Sequence, residues 1–85
     1  MLIALDYDGT YTRDPALWDG FVRSATASGH RVVCFTMRHL SEAIEMPCDV
    51  VYTARKAKAK FAAQCGHHVD IWIDNDPLFL IEDAA

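Results

Sequence analysis

Short apolar runs alternate along this chain with stretches of helical spacing. Leu2-Ile3-Ala4-Leu5 is hydrophobic without interruption and stops at an acidic cluster, which predicts a strand buried on both faces. A helix is expected from about Pro15 to Ser28, with Asp14 as N-cap and Pro15 in the first helical position. Leu17, Phe21, Val22 and Ala25 fall on one stripe of it, and Gly29 is its stop. Arg31 to Phe35 reads as a second strand ending at Thr36, followed by a shorter helix around Ser41 to Glu45 that Pro47 cuts off. Val50-Val51-Tyr52 makes a third strand. A helix from about Arg55 to Cys65, closed by Gly66, leads to a fourth strand from Val69 to Ile73. Leu78 to Glu82 forms a last short helix. Strands that alternate with helices predict an α/β fold: a three-layer, Rossmann-like, four-stranded parallel sheet with right-handed crossovers.

Composition narrows the class. The chain has 85 residues, 52% hydrophobic and 24% charged, which suits one globular domain over 1–85 and not two. A core this small leaves stability modest or dependent on a partner, so a homo-oligomer is an open expectation. The net charge of -4 does not indicate a nucleic-acid or anionic-membrane surface. The three cysteines, Cys34, Cys48 and Cys65, have no CxxC spacing, so no disulfide frame or zinc site is expected, and a reducing, cytoplasmic setting fits. No apolar run is long enough to span a bilayer, and no targeting segment is read at the N-terminus.

The unusual polar residues cluster where strands end, which is where parallel α/β sheets place their sites. In Leu5-Asp6-Tyr7-Asp8-Gly9-Thr10, two carboxylates stand two residues apart, and in extended backbone they share a side. Crowded together, they are expected to raise the proton affinity of one of them. Asp74-Asn75-Asp76 also follows an apolar strand, and its bland reading is a polar turn and helix cap. Acids from two distant strand ends make a hard oxygen site suited to Mg²⁺. Thr36 offers a hydroxyl and an N–H to an anion, with a turn cap as its simpler role. Lys56, Lys58 and Lys60 bring cations to the same rim, and at least one of them serves only solvation. Arg38 lies near enough to pair with a substrate anion, although a plain exposed arginine is the simpler reading. His67-His68 reads as a solvent-facing turn, and Trp18 and Trp72 as packing residues.

The ordered set Asp6-Tyr7-Asp8-Gly9-Thr10, Thr36 after a strand, a lysine, and a strand running into Asp74-Asn75-Asp76 resembles the haloacid dehalogenase superfamily. The resemblance spans nearly the whole chain. It implies a minimal phosphatase without a cap domain, with strands in the order 4-1-2-3 and a phosphorylated substrate. Asp6 is then the nucleophile, Asp8 the acid and base, and Thr36 and Lys58 hold the phosphoryl oxygens, with Lys56 next in line. Mg²⁺ is expected on Asp6, the Asp8 carbonyl and Asp74, with Asp76 assisting. Asn75 departs from the pattern, since many relatives carry a further acid there. A catalytically weak metal- and phosphate-binding module in an assembly and a nucleic-acid end phosphatase are the competing expectations.

Overall fold

The computed structural model describes residues 1–85. Four strands, β1 (Leu2–Leu5), β2 (Arg31–Thr36), β3 (Asp49–Tyr52) and β4 (Ile71–Ile73), form one parallel sheet in the order β3-β2-β1-β4. This is the expected order, read from the other edge. β1 and β2 are central, and their continuous apolar runs are buried from Ile3 to Leu5 and from Val32 to Phe35. Strands enclosed on both faces need such runs, whereas a half-solvated strand would alternate.

Helix α1 (Pro15–Ala27) covers one face. Its N-terminus is fixed by Asp14, whose carboxylate accepts the Leu17 N–H, and by Pro15 behind it. Val22 and Ala25 meet Ile3, Leu5 and Val32, with Trp18 and Phe21 packed edge to face beside them. Leu17, expected on the buried stripe, is 57% exposed. It faces the groove between the first turn of α1 and residues 73–75, where β4 ends the sheet and nothing lies beyond to cover it. The opposite face carries α2 (Lys58–Gln64) and α3 (Leu78–Ile81), and Ala62 packs on Ala4, Val33 and Phe35.

Two expected helices are shorter than their spacing suggested. Between β2 and β3 only a 3₁₀ turn forms, Leu40–Glu42, closed by reciprocal bonds between His39 and Glu42. Ala43 is already extended, and the segment ahead of Pro47 lays Met46 and Cys48 against the α1-side core. The third helix starts at Lys58, not at about Arg55, because Ala54 and Arg55 adopt left-handed φ of 52° and 70°. That turn brings the chain off β3 and aims the first residue of α2 back at the sheet rim.

The Cα radius of gyration is 12.0 Å, against roughly 12 Å expected for a compact chain of this length. The strand connections are used up by α1, the 3₁₀ segment and α2, and none carries a further layer. No helix is long and apolar enough to cross a membrane. Phe35 is 1% exposed and meets Trp72 and His67 edge to face, so it is the keystone of the α2-side core. Phe35→Ala should cost about 3–5 kcal/mol of stability in urea unfolding, the usual range for a buried aromatic.

Candidate active site

The carboxyl ends of β1, β2 and β4 bring four of the sequence's polar elements into one cavity of about 230 Å³, lined by Asp6, Asp8, Thr36, Met37, Lys58, Asp74, Asn75, Asp76 and Phe79. Asp6 follows β1 directly. Its N–H donates to the Ile73 carbonyl at 2.9 Å, so the β1–β4 ladder still holds its backbone. Thr36 closes β2 and is fully buried, with its carbonyl accepting the Thr53 N–H and its hydroxyl accepting the Arg38 N–H.

At the centre lies a buried triad. The Lys58 ammonium donates to Asp6 Oδ1 at 2.6 Å and to Asp74 Oδ2 at 2.7 Å, and all three side chains are 7% exposed or less. Of the three candidate lysines, only Lys58 reaches these acids; Lys56 is exposed beside Asp83 and Lys60 faces solvent. Burial opposes charge on every member. It pushes the Asp6 carboxyl above the usual carboxylate range, against the Lys58 hydrogen bond, and the nearby Asp74 charge pushes the same way. Burial would also lower the Lys58 ammonium, but its bonds to Asp6 and Asp74 outweigh that and hold it above its ordinary value. Burial is thus the main cause at Asp6 and the two carboxylates the main cause at Lys58, and the triad carries one negative charge in excess.

Asp8 stands apart from this triad. The chain leaves extended geometry at Tyr7 and turns through Thr10, so Asp8 does not crowd Asp6 as alternation along a strand implied. Asp74, not Asp8, is the acid that presses on Asp6. The Asp8 side chain is 56% exposed, and the Arg38 guanidinium holds its carboxyl below the ordinary value. Arg38 binds both of its oxygens, at 3.0 and 2.9 Å.

The turn after Asp6 is locked to the turn after β4. Gly9 has φ 85°, and a Cβ there would lie 2.5 Å from the outward atom of the Asn75 side-chain amide. Glycine therefore serves both the left-handed backbone and the close approach. With its amide nitrogen turned inward, Asn75 donates to Asp6 Oδ2 at 2.7 Å and to the Asp8 carbonyl at 3.2 Å. An inward oxygen would face only acceptors, which settles the orientation. The Thr10 hydroxyl donates to the same Asp6 oxygen at 2.9 Å and accepts the Asn75 N–H.

No family model matches this chain, and no curated protein or solved structure does either. The reading of function therefore rests on the site's own chemistry. A larger groove of about 870 Å³ lies between α1 and residues 45–47, but it holds no buried charge. The smaller cavity is the one where ionised groups converge.

The donor set there is rich in acidic oxygens. Four carboxylates, Asp6, Asp8, Asp74 and Asp76, face two cations, Lys58 and Arg38, which leaves two negative charges over. The available atoms are hard oxygens, as Mg²⁺ requires. No three Asp, Glu, His or Cys side chains form a ready shell. The expected set needs only two, Asp6 and Asp74, together with the Asp8 carbonyl. Asp76 contributes its N–H to Asp74 Oδ1 at 2.9 Å, while the residue itself is exposed.

The sequence reading passed over three residues that hold the site. Asn75 and Thr10 lie inside the quoted motifs, yet their bonds to Asp6 need the β1 and β4 turns in contact. Arg55 donates twice to the Met37 carbonyl, from its N–H and from Nη1, each at 2.8 Å, and no local pattern marks it. Replacing Lys58 by methionine should leave Asp6 and Asp74 buried without a counter-charge, a loss of about 3–5 kcal/mol at neutral pH. Lys58 lowers the proton affinity of buried Asp6, so folded Lys58→Met binds that proton more tightly than folded wild type, and the loss should shrink as pH falls toward the ordinary carboxylate range. Urea unfolding of Lys58→Met at pH 7 and pH 5 checks both the size and the sign.

Proposed function

We propose that this protein is a metal-dependent phosphomonoester hydrolase of the haloacid dehalogenase kind. The observation that carries the reading is the Lys58 ammonium bridging Asp6 and Asp74 beside the buried Thr36. A strand-end carboxylate, an ammonium and a hydroxyl meet in one cavity, and together they can receive a tetrahedral dianion. Burial keeps Asp6 poorly solvated, as a nucleophile needs to be, and Lys58 and Thr36 are placed to take phosphoryl oxygens.

In this reading an Asp6 oxygen attacks phosphorus as the bond to the leaving oxygen breaks, and Asp8 gives that oxygen a proton. Water then attacks the aspartyl-phosphate and loses a proton to Asp8, and the bond from phosphorus to Asp6 breaks to release phosphate. Over the two steps Asp8 returns to its starting state. Asp6, the Asp8 carbonyl and Asp74 would hold Mg²⁺, with Asp76 beside them. Bound there, the ion supplies positive charge between two groups that repel each other, the carboxylate nucleophile and the phosphate.

A non-catalytic module that binds metal and phosphate is the second reading. The observation that favours it is Asp8, whose two oxygens are both occupied by Arg38. Turnover separates the two. A screen of phosphate esters with Mg²⁺ should give hydrolysis that Asp6→Asn abolishes, while Asp8→Asn should slow it by about 10²–10⁴. Wild-type turnover retained in Asp6→Asn would remove the nucleophile assignment, and binding without turnover would favour the module.

The metal assignment has its own test, independent of rate. Asp74→Ala should weaken Mg²⁺ binding in calorimetry far more than Asp76→Ala, because only the Asp74 carboxylate is buried beside Asp6 and Lys58. Equal affinity of Asp74→Ala and wild type would reject that ligand.

A further inference from the structure

The mouth of the cavity carries a cation that the chemistry above does not use. Arg38 follows Thr36 by two residues and lays its guanidinium flat against Asp8, with Nε on Oδ2 at 3.0 Å and Nη2 on Oδ1 at 2.9 Å. The guanidinium carbon also sits 5.2 Å from the centre of the Tyr7 ring. A fork on two oxygens is the geometry with which arginine recognises phosphate as well as carboxylate. At one-third exposed, the Arg38 side chain is open to an arriving ligand.

The backbone that presents Arg38 is held from several sides. Its N–H donates to the Thr36 hydroxyl at 3.3 Å, and its carbonyl accepts the Ala54 N–H at 3.3 Å. The preceding carbonyl, that of Met37, takes both Arg55 bonds, and Arg55 is itself paired with Glu42 at 3.2 Å. Ala54 and Arg55 make these contacts from consecutive left-handed conformations, at φ 52° and 70°. Residues with a Cβ rarely adopt that conformation, and it is kept where surrounding structure requires it. Here it serves to brace residues 36–38.

The two-point fork takes one lone pair of each Asp8 oxygen, so while it stands the carboxylate meets a leaving group only with the remaining ones. Drawing Arg38 away frees the whole Asp8 carboxylate, and a guanidinium drawn off one anion needs another. In the phosphatase reading the transferred phosphoryl group would lie inward, at Asp6, Thr36 and Lys58. Arg38 lies outward, at the exposed carboxylate that this reading assigns to the leaving oxygen. The replacement anion therefore belongs to the leaving group.

We propose that Arg38 receives a second phosphate carried on the leaving-group side of the substrate, and that binding it releases Asp8. This rests on the phosphatase reading for the role of Asp8. The substrate class is a phosphomonoester with a further phosphate a few bonds away. A small bisphosphate and a nucleic-acid end, whose neighbouring phosphodiester supplies the second anion, share that chemistry.

The test compares thymidine 5′-monophosphate, thymidine 3′,5′-bisphosphate and a 5′-phosphorylated dinucleotide as substrates with Mg²⁺. Wild type, Arg38→Ala and Arg38→Lys are assayed, and each variant is checked for an unchanged melting temperature. For wild type, kcat/KM should be at least about tenfold higher for one of the doubly anionic substrates than for the monophosphate, in line with a charge-assisted pair. That ratio should fall to about one in Arg38→Ala and be partly kept in Arg38→Lys. Preference for the bisphosphate or for the dinucleotide identifies the source, and either supports the proposal. A wild-type ratio near one, or a ratio that Arg38→Ala leaves unchanged, overturns it. If wild type hydrolyses none of the three, the ester screen decides the phosphatase reading, and calorimetry with the bisphosphate decides this proposal alone. A Kd at least about tenfold weaker in Arg38→Ala then upholds the anion receptor. An equal Kd, or no binding by wild type, rejects it.

Discussion

A single buried ammonium organises this domain. Lys58 is enclosed with Asp6 and Asp74, and each of the three would be costly to bury alone. Their mutual hydrogen bonds make the burial tolerable only if three distant segments meet within a few ångströms. β1 and β4 must be neighbours so that Asp6 and Asp74 stand side by side, and the sheet order provides that. The chain must also turn sharply after β3 so that α2 begins at Lys58, and the left-handed pair Ala54 and Arg55 provides that. Topology, an unfavourable backbone turn and the site chemistry are therefore parts of one arrangement.

The same arrangement sorts the charges by solvation. Asp6 and Asp74 lie inside with an ammonium between them, while Asp8 lies outside with a guanidinium on it. The inner acid is pushed up by burial and the outer one is pulled down by Arg38. Carboxylates two residues apart thus acquire opposite environments, and the ion pair with Arg38 opposes the proton that the proposed acid role asks Asp8 to carry. Asn75 ties the two together, with its amide reaching the Asp6 carboxylate and the Asp8 carbonyl at once. An acid in place of Asn75 would add another negative charge where an excess already exists.

Small size shapes the surroundings. One helix covers the α1 face, assisted by the extended stretch that carries Met46 and Cys48. The strand connections hold no further layer above the cavity, so groups at its mouth, Arg38 and Asp8 among them, face solvent. In the proposed phosphatase, selection of a substrate at such a mouth would fall to side chains on short loops. That is why the bracing of residues 36–38 by Arg55 matters beyond stability.

Much of the fold was written in local pattern. The uninterrupted apolar runs of β1 and β2 marked buried parallel strands, and Asp14 with Pro15 marked the start of α1, because backbone sterics and capping act within a few residues. The strand-end clusters at residues 6–10 and 74–76 marked the rim for the same reason. Pattern misled where a tertiary contact outweighed propensity. The residues before Pro47 lie extended to fill the core, and the Arg55 turn gives up helix to place Lys58. Which partner each charge would take was also not local. Lys58 on Asp6 and Asp74, Asn75 on Asp6 and Arg38 on Asp8 join residues far apart in sequence. Sequence alone determined which groups stand at the strand ends. Only the folded sheet decided which are buried together and which face water, because desolvation and ion pairing depend on distances that no stretch of the chain sets by itself.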